Sequence, residues 1–561
     1  MRIRRVVTGV LAASALLLAA AAPAGAELRP PPPLPDDPTT SYFYNLWFGP
    51  TTEGWSPEGT VTADSGFRPF PNGFPYANYG GGMPLISQFF GTPNVPMVGL
   101  NSIDMRSLYG DGVCTSTKGL KPGGPCALTP VAEYWAEHIL DSAQGGVCFG
   151  MAATAGAIYN GESSPSVVGA STLTSQSRLT QATQRAILRN YGAQFTSSSA
   201  PLLRITPAEV IEALQAGLVD NVAPYILLLY GTDPNGHEGG HAINPYAVYD
   251  RGNGLYDIAV YDNNYPTRER AVHVDTVANT WEYFVMTNPG GPPSVWTGDA
   301  ETKTLGLVST ADILAQQSCP FCLGRSVDLV TFSSLPNSAG RIGLDLLSLD
   351  ESRLPRDRYE VLPTLNPPGP NMTSQPSAEV IREDGFMVTV VGSGLTEIVP
   401  LTVSNVSARG GKILGIDKWA PGGGLEVQYE PEVFTVLSTT PVVMDLTRAF
   451  SVQQRHFSVQ ARAGQATGVG NGRQIALNRA AGQVILGDAN AQGGRMVVDA
   501  ELRVGNKTSA YQSKSVKYPA GGKLVLVYGS WKTANQAPQL WLDRDGDGTL
   551  DKRIPMQRAV G

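Results

Sequence analysis

The sequence predicts an α+β protein in which a helices-then-strands unit is followed by sandwich-like all-β modules. Three observations carry this. Apolar residues recur at helical spacing between positions 131 and 217, and from position 225 the period becomes that of strands. Beyond about residue 287, short apolar runs such as FMVTVVG, LEVQYE and KLVLVYG are spaced by Pro/Gly clusters and turns. Composition agrees. The 42% hydrophobic content suffices for cores, and the 16% of charged residues lies below the ~25% of ordinary soluble proteins. Gly 63 and Pro 43 imply many turns. A formal net charge of −7, with no long basic run after the first few residues, excludes a nucleic-acid partner.

Taken in order, Arg2, Arg4 and Arg5 precede an apolar run over residues 10–22, and Ala24-Gly25-Ala26 supplies small residues for cleavage, so residues 1–26 read as a signal peptide. No other segment approaches the ~20 apolar residues of a membrane span, so no membrane anchor is expected and the mature chain reads as secreted. A Pro-rich linker covers 29–38. The region 27–130, rich in Gly, Pro and aromatics, reads as an irregular lead-in that packs on the next domain. In 131–287, VAEYWAEHILDSA places Val131, Tyr134, Trp135 and Ile139 near one helical face. Gly145-Gly146 breaks that helix, and Cys148 opens a second, Ala-rich one. Further helices are expected at about 173–191 and at 207–217, the last with Thr206 as N-cap, Pro207 at the first position and Glu209 closing a capping box. Strands follow at 225–230, 241–249 and 255–261, the last two joined by the turn Asp250-Arg251-Gly252-Asn253-Gly254. A connecting β-rich segment with a CxxC is assigned to 288–370 and a sandwich-like region to 371–561.

Of the five cysteines, Cys114 and Cys126 bracket a Gly/Pro-rich loop that closes easily, and Cys319 and Cys322 form CPFC, with no second CxxC to build a four-thiolate zinc site. Two disulfides are expected, which leaves Cys148 as the free thiol. A thiol reacts as thiolate, and the free N–H groups and dipole at a helix start favour that form. His241 and Asp262 lie symmetrically about the predicted turn. In a hairpin of that register they face each other, close enough for a carboxylate to orient an imidazole. A bulge at Pro245 would shift the register by one and make Asn263 or Asn264 the orienting residue.

These residues resemble papain-like cysteine peptidases: a Cys at the start of a buried helix (GGVCFGMA), a strand beginning Gly-His-Ala (GGHAINPYAVYD), and a strand ending in Asp/Asn (YDIAVYDNNYP). The resemblance covers about residues 131–285 and points to the wider bacterial superfamily. It implies that Cys148 attacks a carbonyl, that His241 takes and returns the proton, and that Asp262 holds the imidazole. The N–H of Cys148 and an upstream Gln would stabilise the oxyanion. The family's Gln lies six residues before the nucleophile, whereas Gln144 lies four before and position 142 is Ser142.

A rival motif overlaps the site. His237-Glu238-Gly239-Gly240-His241 matches HExxH, which on a helix presents two imidazoles to zinc, with Glu269 the nearest downstream Glu for a third ligand. The preceding Asp233-Pro234-Asn235-Gly236 turn, the two glycines and Pro245 all oppose a helix there. His138 reads as a packed helical residue, and the sequence suggests no partner for His273 or His456. Near the C-terminus, Asp543, Asp545, Asp547, Thr549 and Asp551 sit in DRDGDGTLD with the spacing of a calcium loop, although position 12 is Ile554 rather than an acid. A structural calcium ion is expected there, and no cofactor for catalysis. The expected partner is a peptide or protein substrate, with an extracellular or cell-surface polymer for the β-rich modules. The alternatives are a zinc metallopeptidase and an extracellular binding protein with an inert papain-like domain.

Overall fold

The computed structural model describes residues 55–80, 97–196, 205–232, 238–286 and 293–319, and most of the chain from 321 to 559. The segments read above as a signal peptide and a Pro-rich linker, and His237, lie outside the described residues. No helix among the described residues is long and apolar enough to cross a membrane.

Among the described residues of the first unit, the helices longer than one short turn precede most of the strands: α1 (Ser102–Tyr109), α2 (Pro130–Ser142), α3 (Cys148–Tyr159), α4 (Gln181–Gly192) and α5 (Pro207–Gly217). Their starts follow local chemistry. Thr129 caps α2 by accepting the Ala132 N–H, with Pro130 in the first turn, and Thr206 and Glu209 form the expected capping box of α5. The helix expected from about 173 begins only at Gln181. The Gln176 side chain first folds back onto the amide of Leu173, and Thr180 then caps α4.

The strands are β1 (Thr60–Asp64), β2 (Tyr225–Thr232), β3 (Glu238–Gly252), β4 (Leu255–Tyr261), β5 (Glu269–Asp275), β6 (Thr280–Met286), β7 (Pro293–Asp299) and β8 (Leu305–Ser309). They form one antiparallel sheet in the order β7-β6-β5-β4-β3-β2-β8, with β1 beside β3. Both faces are covered. Ile226 and Leu228 of β2 join the core under α2, α3 and α4, while Leu227 and Leu229 join a second core with Val210, Ile211 and Leu214 of α5. This is why YILLLY is apolar without alternation.

The helix that carries the cysteine is central to the first core. Every residue from Cys148 to Ile158 is buried. A Cβ on Gly150 would stand 2.2 Å from the carbonyl oxygen of Ile187, so only glycine lets α3 and α4 approach this closely.

Two boundaries differ from the sequence reading. The lead-in is integral to the domain: β1 pairs with β3, and Phe67, Phe74, Tyr76, Tyr79, Leu100 and Met105 belong to the helical core. The sheet also runs past residue 287, because β8 pairs with β2 and is followed by α6 (Thr310–Leu314). The remaining strands, from Val327–Ser334 onward, form a nine-stranded and an eleven-stranded antiparallel sheet that share one core, including Val388, Phe434, Leu446, Phe457 and Trp531. The boundary therefore lies between Leu314 and Val327, beside the Cys319–Cys322 disulfide, and not at 287 and 370. The sandwich docks on α2: Arg503 donates to Leu128 O at 2.8 Å and pairs with Glu133, Thr115 donates to Gly505 O at 2.9 Å, and Val406 and Ala449 enter the first core.

Candidate active site

Both expected disulfides, Cys114–Cys126 and Cys319–Cys322, are present, and Cys148 is the free cysteine. It is the first residue of α3, where amide N–H groups have no intrahelical acceptor. The turn before it is held from the lead-in. The Val147 N–H donates to Asn78 Oδ1 at 2.8 Å, and the Asn78 N–H donates to Asn263 O at 2.7 Å. Asn78 thus ties the turn before Cys148 to the loop after β4.

His241 lies on β3 opposite Leu229 of β2. Its Nε2 donates to Asp262 Oδ1 at 2.7 Å, and Cys148 interacts with the same imidazole. The register is not the one expected. Asn244 pairs with Tyr261, and the ladder shifts between Pro245 and Ala247 and again between Asp250 and Gly252. The bulge at Pro245 occurs, yet Asp262 and neither asparagine holds the imidazole. Strand β4 ends at Tyr261, and the chain turns there, with the Tyr265 N–H donating to Asp262 O, so Asp262 reaches His241 from beyond the ladder. Asn263 instead donates Nδ2 to Cys148 O at 3.1 Å and to Ala242 O at 2.9 Å, and the Asn264 amide donates to Asp262 Oδ1 at 2.8 Å. The second carboxylate oxygen, Oδ2, accepts the hydroxyl of Tyr283 on β6 at 2.7 Å.

Burial opposes charge on both members of the pair, and in both it loses. On His241 it is outweighed by the Asp262 carboxylate and by the hydrogen bonds to Asp262 and Cys148, which push the imidazole up to about 10. On Asp262 it is outweighed by His241, the Tyr283 hydroxyl and the Asn264 amide, which hold the carboxyl below its usual value. Cys148 is 0% exposed and His241 1%.

Among the described residues the Gln144 side chain bonds through Nε2 to Leu140 O of α2 at 3.2 Å, and not to Cys148. The HExxH geometry is also not met. From Glu238 the backbone is strand β3, and Glu269 lies opposite Tyr261 in the neighbouring ladder. His138 is packed against Trp135 with ring centroids 5.0 Å apart, and burial pushes it down to about 4. His273 and His456 do have partners: His273 Nδ1 lies 2.8 Å from Asp257 Oδ1, and His456 contacts Ser451 Oγ and Thr115 O. A groove of about 510 Å³ runs over the outer strands, lined by Arg251, Tyr256, His273, Trp281 and Glu282, and includes none of Cys148, His241 and Asp262.

In the C-terminal loop, carboxylate oxygens of Asp543, Asp545 and Asp551 lie within 4.8 Å of one another. Asp547 is not part of this group. The Asp547 carboxylate accepts the Thr549 N–H at 2.7 Å, while Asp543 accepts the amides of Gly546 and Gly548.

Sequence reasoning missed Asn78, Asn263 as a brace, and Tyr283. None of them stands in a spacing pattern with Cys148 or His241, because they arrive from the lead-in, the β4 turn and a strand two positions across the sheet. No family model, no curated protein and no solved structure matches the chain.

Proposed function

We propose that the chain is a secreted papain-like cysteine peptidase or related amide hydrolase. The observation that carries this reading is the buried 2.7 Å His241–Asp262 contact, with the free cysteine at the start of α3 interacting with the same imidazole. In this mechanism the Cys148 thiolate attacks the carbonyl carbon of a peptide or amide and forms the C–S bond. The carbonyl oxygen takes the negative charge and is met by the Cys148 N–H. His241 then gives its proton to the leaving amine as the C–N bond breaks. Water attacks the thioester with His241 as base, which releases the acid and restores the thiol and imidazole. Two disulfides fit an oxidising compartment and support secretion. The sandwich braces α2, and the C-terminal loop is read as a structural calcium site on Asp543, Asp545 and Asp551.

A second reading, an extracellular binding protein with an inert domain of this kind, draws on one observation: Cys148 and His241 are sealed from solvent. Hydrolysis of a peptide library by the full chain separates the two. Cleavage that disappears in Cys148→Ala and in His241→Ala supports the enzyme, whereas no turnover together with an inert thiol supports the binding protein.

A further inference from the structure

Asp262 is a fully buried anion whose two oxygens are held differently. Oδ1 accepts from His241 and from the Asn264 amide, while Oδ2 accepts from the Tyr283 hydroxyl. Behind Tyr283 stands Arg270 of β5, itself 1% exposed. Its Nε lies 3.5 Å from the Tyr283 oxygen, its Nη2 donates to Phe284 O at 2.7 Å, and its guanidinium lies 4.2 Å from the centre of the Tyr265 ring. Its Nη1 has no hydrogen-bond partner among the described residues. A buried guanidinium without a contacting carboxylate is costly unless an anion lies close by. The anion it meets, through one phenol, is Asp262.

We propose that Tyr283, with Arg270 behind it, is a positioning residue for the Cys148–His241 pair, which keeps the buried Asp262 carboxylate ionised and aimed at the imidazole. This rests on reading Cys148 as the nucleophile. The chain of contacts runs Arg270, Tyr283, Asp262, His241, Cys148, across β5, β6, the β4 turn, β3 and α3. Tyr283 donates its proton to the carboxylate and accepts from the guanidinium, so a neutral group carries the influence of a distant cation without an ion pair that would compete with His241. The other groups facing this chain are the Asn264 amide and the phenols of Tyr191, Tyr261 and Tyr265.

The test is the ultraviolet absorbance of the thiolate as a function of pH in the full chain, taken as the difference from Cys148→Ser. The imidazolium stabilises the thiolate and the Asp262 anion stabilises the imidazolium, so the thiolate is lost on the acid side once Asp262 takes up a proton. Loss of the Oδ2 donor in Tyr283→Phe moves this acid edge upward by about one pH unit. Arg270→Gln moves it in the same direction, and either variant in folded form suffices. An acid edge that stays in place while only the melting temperature falls assigns Tyr283 and Arg270 to packing and overturns the inference. A wild-type chain with no thiolate below the ordinary thiol range overturns the nucleophile reading itself, a different result from an unmoved edge.

Discussion

The sheet of the first unit holds two His–Asp pairs of nearly equal length, and they are built for different ends. His241 and Asp262 meet at 2.7 Å, His273 and Asp257 at 2.8 Å, and both carboxylates are fully buried. Asp262 is served by an imidazole, a phenol and a backbone amide, and its imidazole interacts with a free thiol. Asp257 is shared by His273, by Arg251 at 3.2 Å and by the Glu58 amide at 2.8 Å, and Trp55 stacks on the His273 ring. The second pair therefore ties β4, β5 and the lead-in together, with a cation drawing on the carboxylate that would otherwise serve the imidazole alone. A short His–Asp distance is not a site in itself. What stands beyond the imidazole and what else holds the carboxylate decide it.

The largest expected effect breaks this comparison directly. His241→Ala lowers amide hydrolysis about a hundred- to ten-thousand-fold, and His273→Ala leaves it within about twofold, measured as kcat/KM on one cleaved peptide. Equal losses would erase the distinction. The carboxylates sharpen it. Asp257→Asn leaves His273 without its anion and Arg251 with Glu58 at 3.6 Å, and costs about 1–3 kcal/mol in denaturant unfolding with turnover retained, whereas Asp262→Asn abolishes turnover. The pH dependence of stability is a smaller signature. His241 has a raised folded-state value, so its pairing contributes fully below its ordinary value of 6.5 and is lost as the pH rises towards about 10. Asp262 has a lowered value, so its contribution is present above 3.8 and fades as the pH falls further. The unfolding free-energy gap between wild type and His241→Gln is therefore widest between about 4 and 6.5 and closes towards pH 10. A gap that widens above pH 7 contradicts the assignment. Smallest is the C-terminal loop, remote from both pairs: millimolar calcium raises the melting temperature by a few degrees, and Asp543→Asn removes the increment. No shift with calcium would leave these acids as a turn.

Much of the site geometry was legible in the chain because it depends on local signals. Gly145-Gly146 ends one helix and an Ala-rich run starts the next, which puts Cys148 at a helix start, and the two close cysteine pairs leave it free. The turn at 250–254 folds His241 back towards Asp262. The exact partner was right for an incomplete reason. Symmetric ladder pairing predicts it, but two bulges shift the register, and Asp262 meets His241 because β4 stops at Tyr261 and the chain turns. Gln144 misled because distance along the chain says nothing about a side chain that prefers the nearest free helix carbonyl. Tyr283 and Arg270 were invisible because a strand reveals which of its residues are buried, not which loop they face across the sheet. The domain boundary was misplaced because the Pro/Gly cluster after residue 287 reads as a break and places β7 and β8 in a connecting segment. Only their pairing, β8 with β2, assigns them to the first sheet.

The most direct measurement is mass-spectrometric mapping of the native, non-reduced chain after brief treatment with iodoacetamide near neutral pH, with and without a zinc chelator. The account predicts modification confined to Cys148, lost in His241→Ala, retained in His273→Ala and indifferent to chelation. A Cys148 that stays unmodified under these conditions would contradict it and leave the sealed, inert domain as the reading of this chain.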